Sequence, residues 1–93
     1  MDHTLYLIQS SATATHSILA KLKQIYSPHD HVVFLGESVA ILNQTDIEHF
    51  SSCYCLETEQ VLLNPDLVSN LTVLDYAQFA DLVLQFQRCI SLK

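Results

Sequence analysis

Two cysteines one residue apart, Cys53 and Cys55, are the most chemically pointed feature of this sequence. A strand turns residues two apart to the same side, so the pair would bring two thiols together on one sheet face. Redox motifs and structural zinc sites normally use C-x-x-C on a turn instead, where a helix N-terminus lowers a thiol pKa or a loop wraps the metal. A buried cysteine is also a common small hydrophobe, and core packing is the expected role here. His29-x-His31, taken with His49 or Cys89, supplies metal-ligand types without a diagnostic spacing, and the segment after Pro28 reads as a solvated loop. No metal is expected. Serine, histidine and aspartate are all present, but the G-x-S-x-G elbow that exposes a nucleophile is absent. The acidic residues are scattered, so no general acid–base couple stands out. The single glycine, Gly36, excludes the Gly-rich cradles that hold phosphate, and no cofactor is expected.

The elements that must position these residues follow from hydrophobic periodicity. His3 to Ile8 reads as a first strand, and Ser10, Ser11 and Thr13 offer N-caps for a helix carrying Ile18, Leu19, Leu22, Ile25 and Tyr26. Ser27-Pro28 ends that helix, because the residue before a proline leaves the helical region. Val32 to Leu35 is a continuous apolar run suited to a strand buried on both faces, and Val39 to Leu42 is one short helical turn. Asn43 to Ser52 reads as polar and irregular, anchored by Ile47 and Phe50. Cys53 to Leu56 makes a third strand. A helix begins at Glu57-Thr58-Glu59 and runs to Asn64-Pro65, and Leu71 to Leu74 makes a fourth buried strand. Asp75 and Gln78 form a capping box ahead of a helix whose stripe is Tyr76, Phe79, Ala80, Val83 and Phe86. Arg88 to Leu92 reads as a fifth, edge strand.

This alternation predicts an α/β fold. The chain is expected to be a three-layer sandwich, residues 1–93 forming one domain, with a mostly parallel sheet of four to five strands flanked by helices. In such sheets ligands and partners meet the loops beyond the carboxyl ends of the strands, here near Gln9, Gly36, Glu57 and Asp75.

Composition narrows the function. The chain has 93 residues, 49% of them hydrophobic and 15% charged, which is apolar for a small domain and points to a buried partner surface. A net charge of −6 with four Lys and Arg argues against direct binding to a nucleic-acid backbone. No stretch reaches the ~18 apolar residues that span a bilayer. Without a positively charged leader, the cytoplasm with its reduced thiols is the expected compartment.

Four segments taken in order carry a family resemblance. They are the opening His3-Thr4-Leu5, the run Val32-Val33-Phe34-Leu35-Gly36-Glu37-Ser38-Val39, the strand Cys53-Tyr54-Cys55-Leu56, and Val73-Leu74-Asp75-Tyr76 followed by Phe79. In these the chain resembles the DsrH/TusB sulfur-relay family. The resemblance implies a small DsrE/F/H-like domain with a five-stranded, mainly parallel sheet between helices. It also implies assembly with TusC-like and TusD-like subunits into a two-fold heterohexamer. Such a complex passes persulfide sulfur towards 2-thiolation of the wobble uridine of tRNA, or serves an equivalent relay in sulfur oxidation. The sulfur-carrying cysteine of the family lies on the TusD/DsrE-like subunit. Lys21 stands where some members have a helix cysteine, Glu37-Ser38 replaces the usual Asp-Gly, and the tail departs from the family's tryptophan-containing end.

The expected function is therefore that of a non-catalytic subunit of a sulfur-relay complex. Its expected partner surface comprises Glu37, Ile47, Phe50, Asp75, Ile90 and Leu92. Two alternatives remain at this level: a persulfide carrier using Cys53 or Cys55 itself, and a homo-oligomeric domain with no sulfur role.

Overall fold

A computed structural model describes residues 3–50 and 52–93; Met1, Asp2 and Ser51 lie outside it, and with them the chain's first two residues and one residue of the loop expected over 43–52. Five strands, β1 (Thr4–Ile8), β2 (His31–Phe34), β3 (Cys53–Leu56), β4 (Thr72–Leu74) and β5 (Arg88–Leu92), form one sheet in the order β4-β3-β2-β1-β5. Every pairing is parallel. The α/β sandwich expected from the alternation of elements is present, with all five strands in it. The chain steps outwards from β1 through β2 and β3 to β4. It then crosses back to lay β5 beside β1.

Among the described residues the helices are α1 (Thr15–Ile25), α2 (Ser38–Ile41), α3 (Gln44–His49) and α4 (Tyr76–Leu84), and two 3₁₀ segments, Glu57–Leu62 and Pro65–Asn70, join β3 to β4. The outward steps fill one side of the sheet: Leu19 and Leu22 of α1, Val39 of α2, Ile47 of α3 and Leu67 pack with Ile8, Phe34 and Cys55. The return step fills the other: Leu82 of α4 packs with Leu5, Val33, Leu35, Leu56 and Leu74, with Phe79, Val83 and Phe86 partly buried around it. Because β1 and β2 lie between these layers, they read in sequence as continuous apolar runs rather than as alternating ones.

Several local expectations are corrected. Ser10, Ser11 and Thr13 do not cap α1; the Ser10 and Thr15 hydroxyls lie 2.9 Å apart and Thr15 Oγ1 donates to the Ser11 carbonyl at 2.7 Å, satisfying each other inside the loop. Gln44–His49, expected to be irregular, is the helix α3, since Asn43 and Asp46 form a capping box that starts it, and Asp46 also accepts from Lys23 Nζ at 3.1 Å. The segment from Glu57 is 3₁₀ rather than α-helical. β4 is an edge strand with Thr72 exposed, not a buried one. In α4 the buried side chain is Leu82, while Tyr76 and Ala80, expected on the core stripe, face solvent.

Candidate functional site

The loops at the carboxyl edge of the sheet converge as the fold class requires. A cleft of about 390 Å³ lies there, lined by Gln9 after β1, Leu35 and Gly36 after β2, Leu56 at the end of β3, Glu59 of the 3₁₀ segment that follows it, and Phe79 of α4. Gly36 makes the sharp exit from β2 possible: its φ of 61° lies in the left-handed region, which costs a residue with a Cβ about 1–2 kcal/mol. The Glu59 carboxylate accepts a hydrogen bond from the Gly36 N–H and so ties the β3 exit to the β2 exit. Beneath them the Ser38 hydroxyl is shared between the carbonyls of Leu35 at 2.7 Å and Ile8 at 3.1 Å, locking the ends of β1 and β2 together. The cleft thus offers apolar walls, one carboxylate and one amide. It brings no nucleophile together with a base, and no cation to an anionic ligand.

The cysteine pair sits elsewhere. Cys53 and Cys55 share one face of β3, as the spacing predicts, and both are buried in the core beneath α3. Cys53 Sγ lies 3.8 Å and 3.9 Å from the carbonyls of Ile47 and Phe50. Burial pushes its thiol up to about 12. Burial also raises the pKa of Cys55, and the negative charge of Glu59 adds to the effect. A thiolate is the nucleophile in persulfide chemistry, so both groups are held in the unreactive form. Cys89 alone of the three is exposed, on the edge strand β5. Among the described residues no group of three or more His, Cys, Asp or Glu side chains is placed to hold a metal ion. No helix there is long and apolar enough to cross a membrane.

Of the six residues expected to form a partner surface, two are withdrawn from the surface altogether. Ile47 and Phe50, at 3% and 4% exposure, are core residues: the capping box turns α3 so that its few apolar side chains point at the sheet. Ile90 and Leu92 are half-buried against the same core, Asp75 is engaged in the cap of α4, and Glu37 is exposed beside Gly36. Among the described residues the large apolar side chains that reach solvent are Ile25, Val61, Leu62, Tyr76 and Leu84. The sequence carried a signal for Leu84: Leu82, Val83 and Leu84 are consecutive, and one helix face cannot hold all three.

Comparison with known protein families, with curated proteins and with solved structures finds no match to this chain.

Proposed function

We propose that this protein is a non-catalytic subunit of a sulfur-relay complex of the DsrH/TusB type, supporting 2-thiolation of the wobble uridine in tRNA through binding to TusC-like and TusD-like subunits. The observation that carries the proposal is a division between thiols and surface. The paired cysteines are sealed in the core with raised pKa values, while Val61, Leu62, Tyr76 and Leu84 stand in solvent. That arrangement suits a chain that holds partners rather than one that carries sulfur. The five-stranded parallel sheet between helices agrees with what the sequence resemblance implies, and the cleft of Gln9, Glu59 and Phe79 gives a partner segment an apolar seat at the carboxyl edge.

The test is co-expression with TusC-like and TusD-like subunits, followed by affinity capture and an assay of tRNA 2-thiolation. A stable complex is expected, and it should keep its thiolation activity when Cys53→Ala, Cys55→Ala and Cys89→Ser are combined. Failure to bind either subunit, or loss of thiolation by a folded and assembled triple variant, overturns the proposal.

A further inference from the structure

We propose that the free edge of β5 takes up an extended, carboxylate-bearing segment of another protein as a sixth strand, seated along the groove between α1 and β5. Such a contact is independent of any sulfur role and of the cleft at the carboxyl edge. β5 ends the sheet, and its inner side pairs with β1 over all five residues, Arg88 to Leu92. The Leu92 carbonyl accepts from the Gln9 N–H at 2.8 Å and so points inwards, towards β1. Backbone groups alternate from side to side along a strand. Those of Ile90 therefore also point inwards, while the N–H and C=O of Cys89 and Ser91 point out of the sheet. Both residues are exposed, and among the described residues no strand lies beyond them. Native sheets blunt such an edge by shortness, proline, a bulge or charge. The opposite edge, β4, is only three residues long. β5 has five residues, an unbroken register with β1 and no proline, so charge at Arg88 and Lys93 is its one protection.

That charge selects the occupant. The four lysine and arginine residues are Lys21 and Lys23 of α1, Arg88 of β5, and Lys93 just after it. Residues 3–29 and 82–93 contain no aspartate or glutamate, and every carboxylate side chain of the described residues lies in the span from Asp30 to Asp81. A cationic end is thus concealed in the net charge of −6. Lys23 is engaged with Asp46, which leaves Lys21, Arg88 and Lys93 for a ligand at the β5 side. Asp30, just before β2, is buried and already accepts from the Thr4 and Ser27 N–H groups. Charges more than about 8 Å away are largely screened at ~0.15 M salt, so the other carboxylates do little to cancel the local field. A second copy meeting edge to edge brings the same cations and is repelled.

The groove supplies the apolar half of the site. It measures about 430 Å³ and is lined by Ile18, Lys21, Gln24, Ile25, Leu92 and Lys93, with Ile25 55% exposed. A strand added about 4.8 Å beyond β5 turns every second side chain towards this face. Backbone pairing then gives affinity, and the groove selects aliphatic residues at alternate positions. The floor of Ile18, Ile25 and Leu92 offers no aromatic face on which a base could stack, so nucleic acid is the poorer occupant.

The probe is a fluorescein-labelled heptapeptide amide, Glu-Glu-Val-Thr-Val-Glu-Glu, which reads the same in either direction; fluorescence anisotropy follows its binding to the full chain. Saturable micromolar binding is expected, weakened at least about ten-fold by Lys21→Glu combined with Lys93→Glu. Ser91→Pro removes an outward N–H and spares the ladder to β1, so it should abolish binding without changing the circular dichroism. N-methylation of alternate peptide amides blocks one edge of the peptide at a time. Methylating the two valines should abolish a parallel contact, and methylating the threonine and the glutamate two residues on from the first valine's successor pair should abolish an antiparallel one; one methylated peptide binds and the other does not. Should Ser91→Pro fail to fold, the methylated peptides decide on the unaltered chain. No saturable binding, equal binding of a peptide with lysine in place of glutamate, or like behaviour of the two methylated peptides overturns the proposal. So does self-association that Ser91→Pro removes, which gives the edge to a second copy, or tighter binding of a single-stranded oligothymidylate, which gives the cations to nucleic acid.

Discussion

His31 on β2 and Tyr54 on β3 are joined in two ways: Nδ1 of His31 lies 2.8 Å from the Tyr54 hydroxyl, and the two rings are nearly parallel at 10° with centroids 5.6 Å apart. Phe86 from α4 closes on the imidazole edge-on at 4.9 Å. These neighbours make a poor home for a positive charge. Burial pushes the His31 pKa below its ordinary 6.5, the nearby His3 pushes it the same way, and Asp30 opposes them.

Stability should therefore depend on pH. Between the lowered folded-state pKa and 6.5 the unfolded chain binds the proton more readily than the folded one. The contribution is complete above 6.5 and is lost as the pH falls through that window. Urea unfolding is expected to show a midpoint that drops from about pH 7 to about pH 5.5, and His31→Gln should flatten the profile. Parallel profiles for the two proteins would mean that His31 contributes nothing.

The three thiols should separate by reactivity. Burial pushes the Cys53 thiol up to about 12, so at pH 8 it is held as the unreactive thiol. Cys55 has no exposure at all. A thiol-specific reagent under native conditions is expected to label one cysteine, Cys89, and all three after denaturation. Two fast native equivalents would contradict the buried placement of the β3 pair.

Asp75 and Gln78 exchange hydrogen bonds at the start of α4: Asp75 Oδ1 accepts from the Gln78 N–H at 2.7 Å, and Gln78 Oε1 accepts from the Asp75 N–H at 2.9 Å. Asp75→Ala should cost about 0.5–2 kcal/mol, and Asp75→Ser should recover most of it by keeping an acceptor at the cap. Chemical denaturation of the three proteins measures both. If Asp75→Ser matches wild-type stability yet abolishes binding to TusC-like and TusD-like subunits, the carboxylate serves the interface and not the cap.

The capping box of α4 could be read from the sequence because an aspartate and a glutamine stand three apart before an apolar helix. The equivalent box of α3 was missed because Ile47 is the single large apolar residue in Gln44–His49, too little to show a period. The central strands were legible as runs of branched and aromatic residues, which only a strand covered on both faces can bury. Helix α4 was legible as a helix, and the core side of Phe79, Val83 and Phe86 with it, but Tyr76, Ala80 and Leu82 were not. Its apolar residues surround most of its circumference, and the choice of Leu82 over Ala80 for the core is made by packing against Leu5 and Val33, far away in sequence. Ile47 and Phe50 read as surface residues in the sequence for the same reason. Whether Phe50 or Leu84 meets water depends on how an element is turned against the sheet, which local pattern does not encode.

Gly36 joins the fold to the carboxyl-edge cleft, and its substitution separates two effects. A Cβ at this position would meet nothing within 4 Å, so crowding is not the obstacle; the φ of 61° is. Gly36→Ala is therefore expected to destabilise by about 1–2 kcal/mol, and Gly36→Asn by less, because asparagine enters the left-handed region more readily. Glu59→Gln keeps an acceptor for the Gly36 N–H and removes a charge from an exposed contact, so its effect on stability should stay below about 1 kcal/mol. Urea denaturation of the three variants ranks them. If the order instead followed side-chain volume, with asparagine worse than alanine, a steric clash and not backbone strain would be the reason that glycine stands at the exit of β2.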